Sequence, residues 1–139
     1  MRGNIPFVFF GDAQDIREPD GFVATIAHGI SNRDMLFQQY QEALKFPVGF
    51  GRNWDALEDC LRDLSWIPSR SVLIVHEDLP SLDPEVLKMY LSLLVDCVLD
   101  WKPADEHELI VAFPKKREAE ILRLIGSSND NENHGTETE

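Results

Sequence analysis

The chain has little cysteine, few basic residues and no long hydrophobic run, and each shortage removes a class of function. Two cysteines in 139 residues, Cys60 and Cys97, cannot build a disulfide framework. Both fall in apolar helical stripes, where a reduced thiol packs as a small hydrophobe. Thirteen Lys and Arg stand against 25 Asp and Glu, a formal net charge of −12. So acidic a chain repels nucleic acid and anionic membrane surfaces and draws basic partners. The longest apolar stretch, Leu91 to Leu99, is interrupted by Ser92 and Asp96 and is too short to cross a bilayer. The first residues lack a basic region ahead of an apolar run, so no signal peptide is expected and the location read from the sequence is cytoplasmic. His28, His76, His107 and His134 are scattered without a ligand spacing, so neither a metal nor another cofactor is expected. No Gly-x-Ser-x-Gly, Cys/His or phosphate-loop pattern is present.

What is present reads as one α/β domain. Ile5 to Phe10 is a short apolar and aromatic run, expected to add an edge strand through a hairpin across the polar stretch Asp12 to Gly21. Phe22 to Ala27 is a second strand. Val72 to Val75 and Leu109 to Phe113 are continuous apolar runs, typical of strands covered on both faces. Ser31-x-x-Asp34 forms a loose capping box before the helical stripe Leu36, Phe37, Tyr40 and Leu44. Asp83-Pro84-Glu85 opens a strongly apolar helix with the stripe Leu87, Leu91, Leu94, Val98 and Trp101, ended by Pro103. Lys115 to Ile125 reads as a charged surface helix. Helices alternating with strands predict right-handed crossovers and a small three-stranded parallel sheet backed by helices, with an extra N-terminal edge strand. The domain is expected to span 1–126. Residues 127–139 hold one Asp, three Glu and no large apolar side chain, which predicts a disordered acidic tail.

The most informative segment runs from Phe46 to Leu64. A loop containing Gly49 and Gly51 leads to Asn53, a good N-cap because its side-chain oxygen can accept from the free N–H groups of a first helical turn. From there Trp54, Leu57, Cys60, Leu61 and Leu64 fall on one stripe that faces a core. Asp55, Glu58, Asp59, Arg62 and Asp63 take the opposite face. Asp55, Asp59 and Asp63 stand four apart, and like charges at that spacing cost an isolated helix roughly 0.2–0.5 kcal/mol per pair. The helix N-terminus offsets this for Asp55, and Glu58 can pair with Arg62.

Phe46-Pro47, Phe50-Gly51, Asn53-Trp54-Asp55-Ala56-Leu57 and Asp59-Cys60-Leu61 together resemble the signature of the barstar family, the intracellular inhibitors of secreted bacterial ribonucleases. The resemblance spans roughly residues 22–113 and is sharpest between about 30 and 64. It implies the same three-stranded parallel sheet, no enzymatic activity, and an immunity protein that binds a basic ribonuclease toxin one to one. Asp55 and Asp59 match the carboxylates by which the family plugs a ribonuclease active site, mimicking phosphate. Asp59 would enter the cleft, and Asp55 would pair with a second basic group. The loop holding Gly49, Phe50 and Arg52 would pack on the rim, and Glu58 and Asp63 would add long-range attraction. Asp96 matches a peripheral acidic contact. Gly49 and Glu58 stand where the family carries aromatics, so the implied target is not the ribonuclease of the family's namesake.

Three other readings of the carboxylates remain beside this one. Hard cations need oxygens that converge, whereas these diverge along one outer face. Acid/base hydrolysis needs carboxyls flanking a cleft with shifted acidity. A barstar-fold module that neutralises a non-ribonuclease toxin, or binds another basic protein, would use the same face.

Overall fold

The computed structural model describes residues 5–12 and 21–126. The expected turn across residues 13–20 and the expected tail at 127–139 lie outside the described residues. The elements are β1 (Val8–Phe10), β2 (Phe22–Ile26), α1 (Arg33–Ala43), α2 (Trp54–Asp63), β3 (Ser71–His76), α3 (Pro84–Asp100) and β4 (Glu108–Pro114). A 3-10 turn (Lys115–Arg117), one α-turn, α4 (Glu118–Ile121), and a π-turn (Leu122–Gly126) follow.

The four strands form one parallel sheet in the order β1-β4-β3-β2. The sheet therefore has four strands where the sequence predicts three plus an edge hairpin. β1 does lie at an edge, but it pairs in parallel with β4, Val8 opposite Ala112 and Phe10 opposite Pro114, and not with β2. Side-chain burial explains the choice. Phe7 sets its ring 5.2 Å from Phe113 on the helix-covered face, while Phe10 joins Leu73, Val75 and Ala112 on the other. An edge position beside β2, where Val23 and Thr25 are exposed, would bury neither phenylalanine as fully. β3 is central and is buried on both sides, which accounts for its unbroken apolar run.

The main core lies between the sheet and α1, α2 and α3. It is built from Ile26, Val72, Ile74, Val111 and Phe113 of the sheet with Leu36, Phe37, Tyr40, Leu57, Leu61, Leu91 and Leu94 of the helices. Two local expectations need correction. The N-cap of α1 is Asn32, whose side chain accepts from Met35 N at 2.9 Å, and not Ser31, whose hydroxyl points to the Met35 sulfur. The terminal segment is not a surface helix, because Ile121 and Ile125, four apart, are buried in the core. Arg117 ties that segment down by forking onto Asp78 at 2.7 and 3.2 Å. The guanidinium holds the Asp78 carboxyl below its ordinary range.

A polar chain crosses this core. His76 Nδ1 lies 3.2 Å from the carbonyl of Ala112, which can only accept, so Nδ1 carries the proton. Nε2 is then a bare acceptor, and the Tyr90 hydroxyl, 2.8 Å away, donates to it. The Tyr40 hydroxyl, 2.6 Å from that of Tyr90, must donate in turn. One direction of hydrogen bonding thus joins α1, α3, β3 and β4. All three side chains are fully buried, and burial pushes the His76 pKa down to about 3 and that of Tyr40 well up.

Two predictions follow from this packing. His76 is protonated near pH 6.5 when unfolded but only near 3 when folded, so between those values the unfolded chain binds more protons. Stability is then complete above pH 6.5 and declines as pH falls, by at most about 1.4 kcal/mol per unit. Glu77 and Asp78, whose carboxyls His28 and Arg117 hold low, add their losses at more acid pH. Urea unfolding at pH 7, 6 and 5 should show this slope, and His76→Gln should flatten it; an equal slope in both proteins would refute the assignment. A chain ended after Gly126 should keep its stability within about 0.5 kcal/mol, and a drop of several degrees in melting temperature would show that residues 127–139 dock.

Candidate functional site

Helix α2 forms where expected. Asn53 caps it, its side-chain oxygen accepting from Ala56 N at 2.8 Å while its amide donates to the Gly51 carbonyl at 3.3 Å. The inner face inserts Leu57 and Leu61, both fully buried, and Trp101 Nε1 donates to the Leu61 carbonyl at 3.0 Å. At the far end Leu64 takes a left-handed conformation (φ 53°) and donates its N–H to Cys60 O, closing the helix. An alkyl residue there is strained by about 1–2 kcal/mol, and full burial of its side chain compensates.

The outer face separates the carboxylates into two kinds. Glu58 and Arg62 bond at 2.8 and 3.0 Å, and the other arm of Arg62 reaches Asp100 of α3 at 2.8 Å. Glu58 first, then Asp100, hold the Arg62 guanidinium more firmly charged. That cation is therefore committed twice. Asp63 accepts from the Ser65 hydroxyl at 3.1 Å. Among the described residues, Asp55 and Asp59 have no ion pair and no side-chain hydrogen bond, and both are exposed. Asp96 is also exposed, one turn before Asp100 on α3. Among the described residues two carboxylates are thus free on a helix whose own cation, Arg62, is taken.

The preceding loop is shaped by three left-handed residues, Lys45 (φ 57°), Gly49 (φ 97°) and Arg52 (φ 56°). Val48 is fully exposed at the tip. Gly49 has open space around it, so its backbone and not crowding makes glycine the fitting residue. Phe50 turns inward, half-buried, with its ring 4.7 Å from Phe46 and 6.2 Å from Phe37. Trp54 packs 4.9 Å from Phe37. Arg52 is exposed and donates to Gln38 Oε1 at 3.0 Å, and Gln38 donates on to Glu42 at 2.6 Å. Its cation is thereby held toward α1.

The candidate residues therefore lie together on α2 and its leading loop, with different freedoms. Asp55 and Asp59 are unengaged, Asp63 is lightly held, Glu58 and Arg52 are held by neighbours, Phe50 serves packing, and Gly49 serves the turn. The Arg62–Asp100 and Arg52–Gln38 contacts join separate elements, and no spacing in the sequence signals them. Cys60 is half-buried and its thiol is pushed up by burial and then by Asp63 and Asp59, which suits packing and not nucleophilic chemistry. No group of three metal-ligating side chains occurs among the described residues. No helix of the described chain is long and apolar enough to cross a membrane. Surface hollows of about 490 Å3 between the starts of α1 and α3, and of about 400 Å3 beside Trp101 and His107, are lined without any residue of α2.

The family model for barstar, the barnase inhibitor, matches residues 21–114, which takes in β2 to β4 and all three long helices and leaves β1 and the terminal turns outside. No curated protein matches the chain. With most of its length inside that match, including the whole of α2 and the loop before it, the chain belongs to the barstar family, whose activity is the inhibition of ribonuclease.

Proposed function

We propose that this protein is an immunity protein that blocks the active site of a bacterial ribonuclease toxin with the outer face of α2. The observation that carries the reading is the pair of exposed, unengaged carboxylates, Asp55 and Asp59, on a helix tied to the end of α3 through Trp101 and Asp100. A ribonuclease cleft holds Arg, Lys and His to bind phosphates. Carboxylates one helical turn apart offer those donors the same charge-assisted bonds, roughly twice as strong as neutral ones. Neither aspartate must give up a partner on binding, so the pairing gain is not spent on breaking an existing bridge. The net charge of −12 speeds encounter with a basic surface. Asp63 and Asp96 contribute to this field. Glu58, half-buried and bridged to Arg62, fixes α2 against α3 and contributes less outward charge than its sequence position suggests.

On this reading a ribonuclease toxin is expected to be encoded beside this chain, and the test is titration of that enzyme. Asp59→Ala should weaken the complex by at least ~2 kcal/mol and Asp55→Ala by somewhat less. Asp63→Ala should chiefly slow association and flatten its salt dependence. Wild-type affinity for Asp59→Ala would mean that the helix keeps its shape without this use, and would favour binding to a non-nuclease partner. Barnase should bind weakly and dissociate fast. Gly49 and Glu58 replace two aromatic anchors, each worth on the order of 2 kcal/mol at a hot spot, or about thirtyfold in affinity. Sub-nanomolar binding of barnase in calorimetry would show those anchors to be dispensable.

A further inference from the structure

The loop from Lys45 to Asn53 has little of its own to hold it. Its end is tied by the Arg52–Gln38 and Asn53–Gly51 bonds and by Leu57 N donating to Asn53 O. Ahead of these its backbone bonds are Phe46 N to Gln41 O and Phe50 N to Pro47 O, both at 3.2 Å, and three of its residues are left-handed. What fixes its middle is a layer of rings pressed on the core. Phe46 stacks on Tyr40 with centroids 6.0 Å apart and planes 20° apart, and Phe50 stands edge-on to Phe46. Trp54, the first residue of α2, lies 6.0 Å from Tyr90. The two tyrosines under this layer are those joined to His76 by hydroxyl bonds of 2.6 and 2.8 Å.

Ring against ring is a contact that can slide. A hydroxyl bonded in one direction to a fixed acceptor cannot, and His76 is itself fixed by Ala112 of the neighbouring strand and by stacking 4.0 Å from Phe113. The chain therefore sets the tilt of Tyr40 and Tyr90. Their tilt sets where Phe46 and Trp54 rest. Phe46 carries Phe50 and the loop, and Trp54 carries the turn that bears Asp55.

We infer that the Tyr40–Tyr90–His76 hydrogen-bond chain positions the binding loop and the first turn of α2 through one layer of aromatic rings, with Tyr90 as the central positioning residue. The consequence for binding rests on the reading proposed above; the placement of the loop does not.

Tyr90→Phe keeps the ring against Trp54 and removes the link between Tyr40 and His76. Native-state hydrogen exchange on the free protein then separates positioning from mere stability. Loss of stability alone speeds the amides of β3 and β4, which open with the whole fold, and leaves amides that open locally unchanged. Positioning requires that the amides of Phe50 and Ala56 also speed up, on the order of tenfold, under conditions where β3 still exchanges slowly. Tyr40→Phe leaves the Tyr90–His76 bond whole and so keeps a folded protein; it should act in the same direction, by about threefold. Acceleration confined to β3 and β4 in both variants would overturn the inference. In complex with the neighbour-encoded ribonuclease, Tyr90→Phe should raise the dissociation rate about tenfold with the association rate unchanged, because charge governs encounter and fit governs departure. If Asp59→Ala binds as wild type, the binding reading fails alone, and the exchange result still decides the placement of the loop.

Discussion

Burial of the inner face of α2 is the constraint on which the rest of the site depends. Leu57, Leu61 and Leu64 are wholly removed from water, and each such side chain contributes roughly 1.5–3 kcal/mol when fully buried. Repulsion among Asp55, Asp59 and Asp63 costs only about 0.2–0.5 kcal/mol per neighbouring pair. The inner face therefore outweighs the outer by several-fold, and the helix can carry charges that would weaken it in isolation. Arg62 adds a second hold by bridging Glu58 to Asp100 of α3. Half-exposed pairs of this kind contribute little to stability, but they fix rotation about the helix axis, and that rotation decides where the free aspartates point.

The same bridge sorts the acidic residues into roles that composition cannot separate. Five side chains of α2 are charged, and four are carboxylates. Among the described residues one cation serves two carboxylates, Glu58 and Asp100, and leaves Asp55 and Asp59 without any. With 25 acidic residues against 13 basic ones, many carboxylates must go without a cation. Among the described residues Asp34, Asp83, Asp96 and Glu106 are also exposed and without an ion pair, so what sets α2 apart is that two such carboxylates stand one turn apart on the same helix face.

Much of this was legible in the sequence, and the reasons are local. Asn53 as cap, the Leu57–Leu61–Leu64 stripe and the two-sided burial of Val72–Val75 follow from spacing and residue type within a few positions. The partner of β1 was not legible, because pairing with β4 joins residues about a hundred apart in the chain, and the hairpin is merely the shortest connection. The N-cap of α1 was misplaced by one residue since Ser31 and Asn32 are both good caps, and only Asn32 reaches the Met35 amide. The terminal helix looked superficial from its charges, while its two buried isoleucines, four apart, decided its place. On the site, sequence located the carboxylates but not their partners. Hydrogen bonds between α2 and α3, or between the loop and α1, have no periodicity to reveal them.

Charge and fit are also divided between different parts of the surface. The helix supplies a field, and a field acts on any basic cleft. The loop supplies shape: Val48 stands clear at its tip, Gly49 bends it with φ 97°, and Arg52 is drawn back to Gln38. Its aromatic side chain, Phe50, is spent on the core. On the reading proposed above, the field would attract broadly, while discrimination would fall to the exposed loop side chains Lys45, Pro47, Val48 and Arg52 beside the acidic helix. On that reading a matching ribonuclease would present a basic cleft bordered by an apolar contact for Val48, with no cation facing Arg52. On the same reading selectivity would rest on the loop together with Glu58, because that helix position is already committed to Arg62 and cannot offer an apolar anchor.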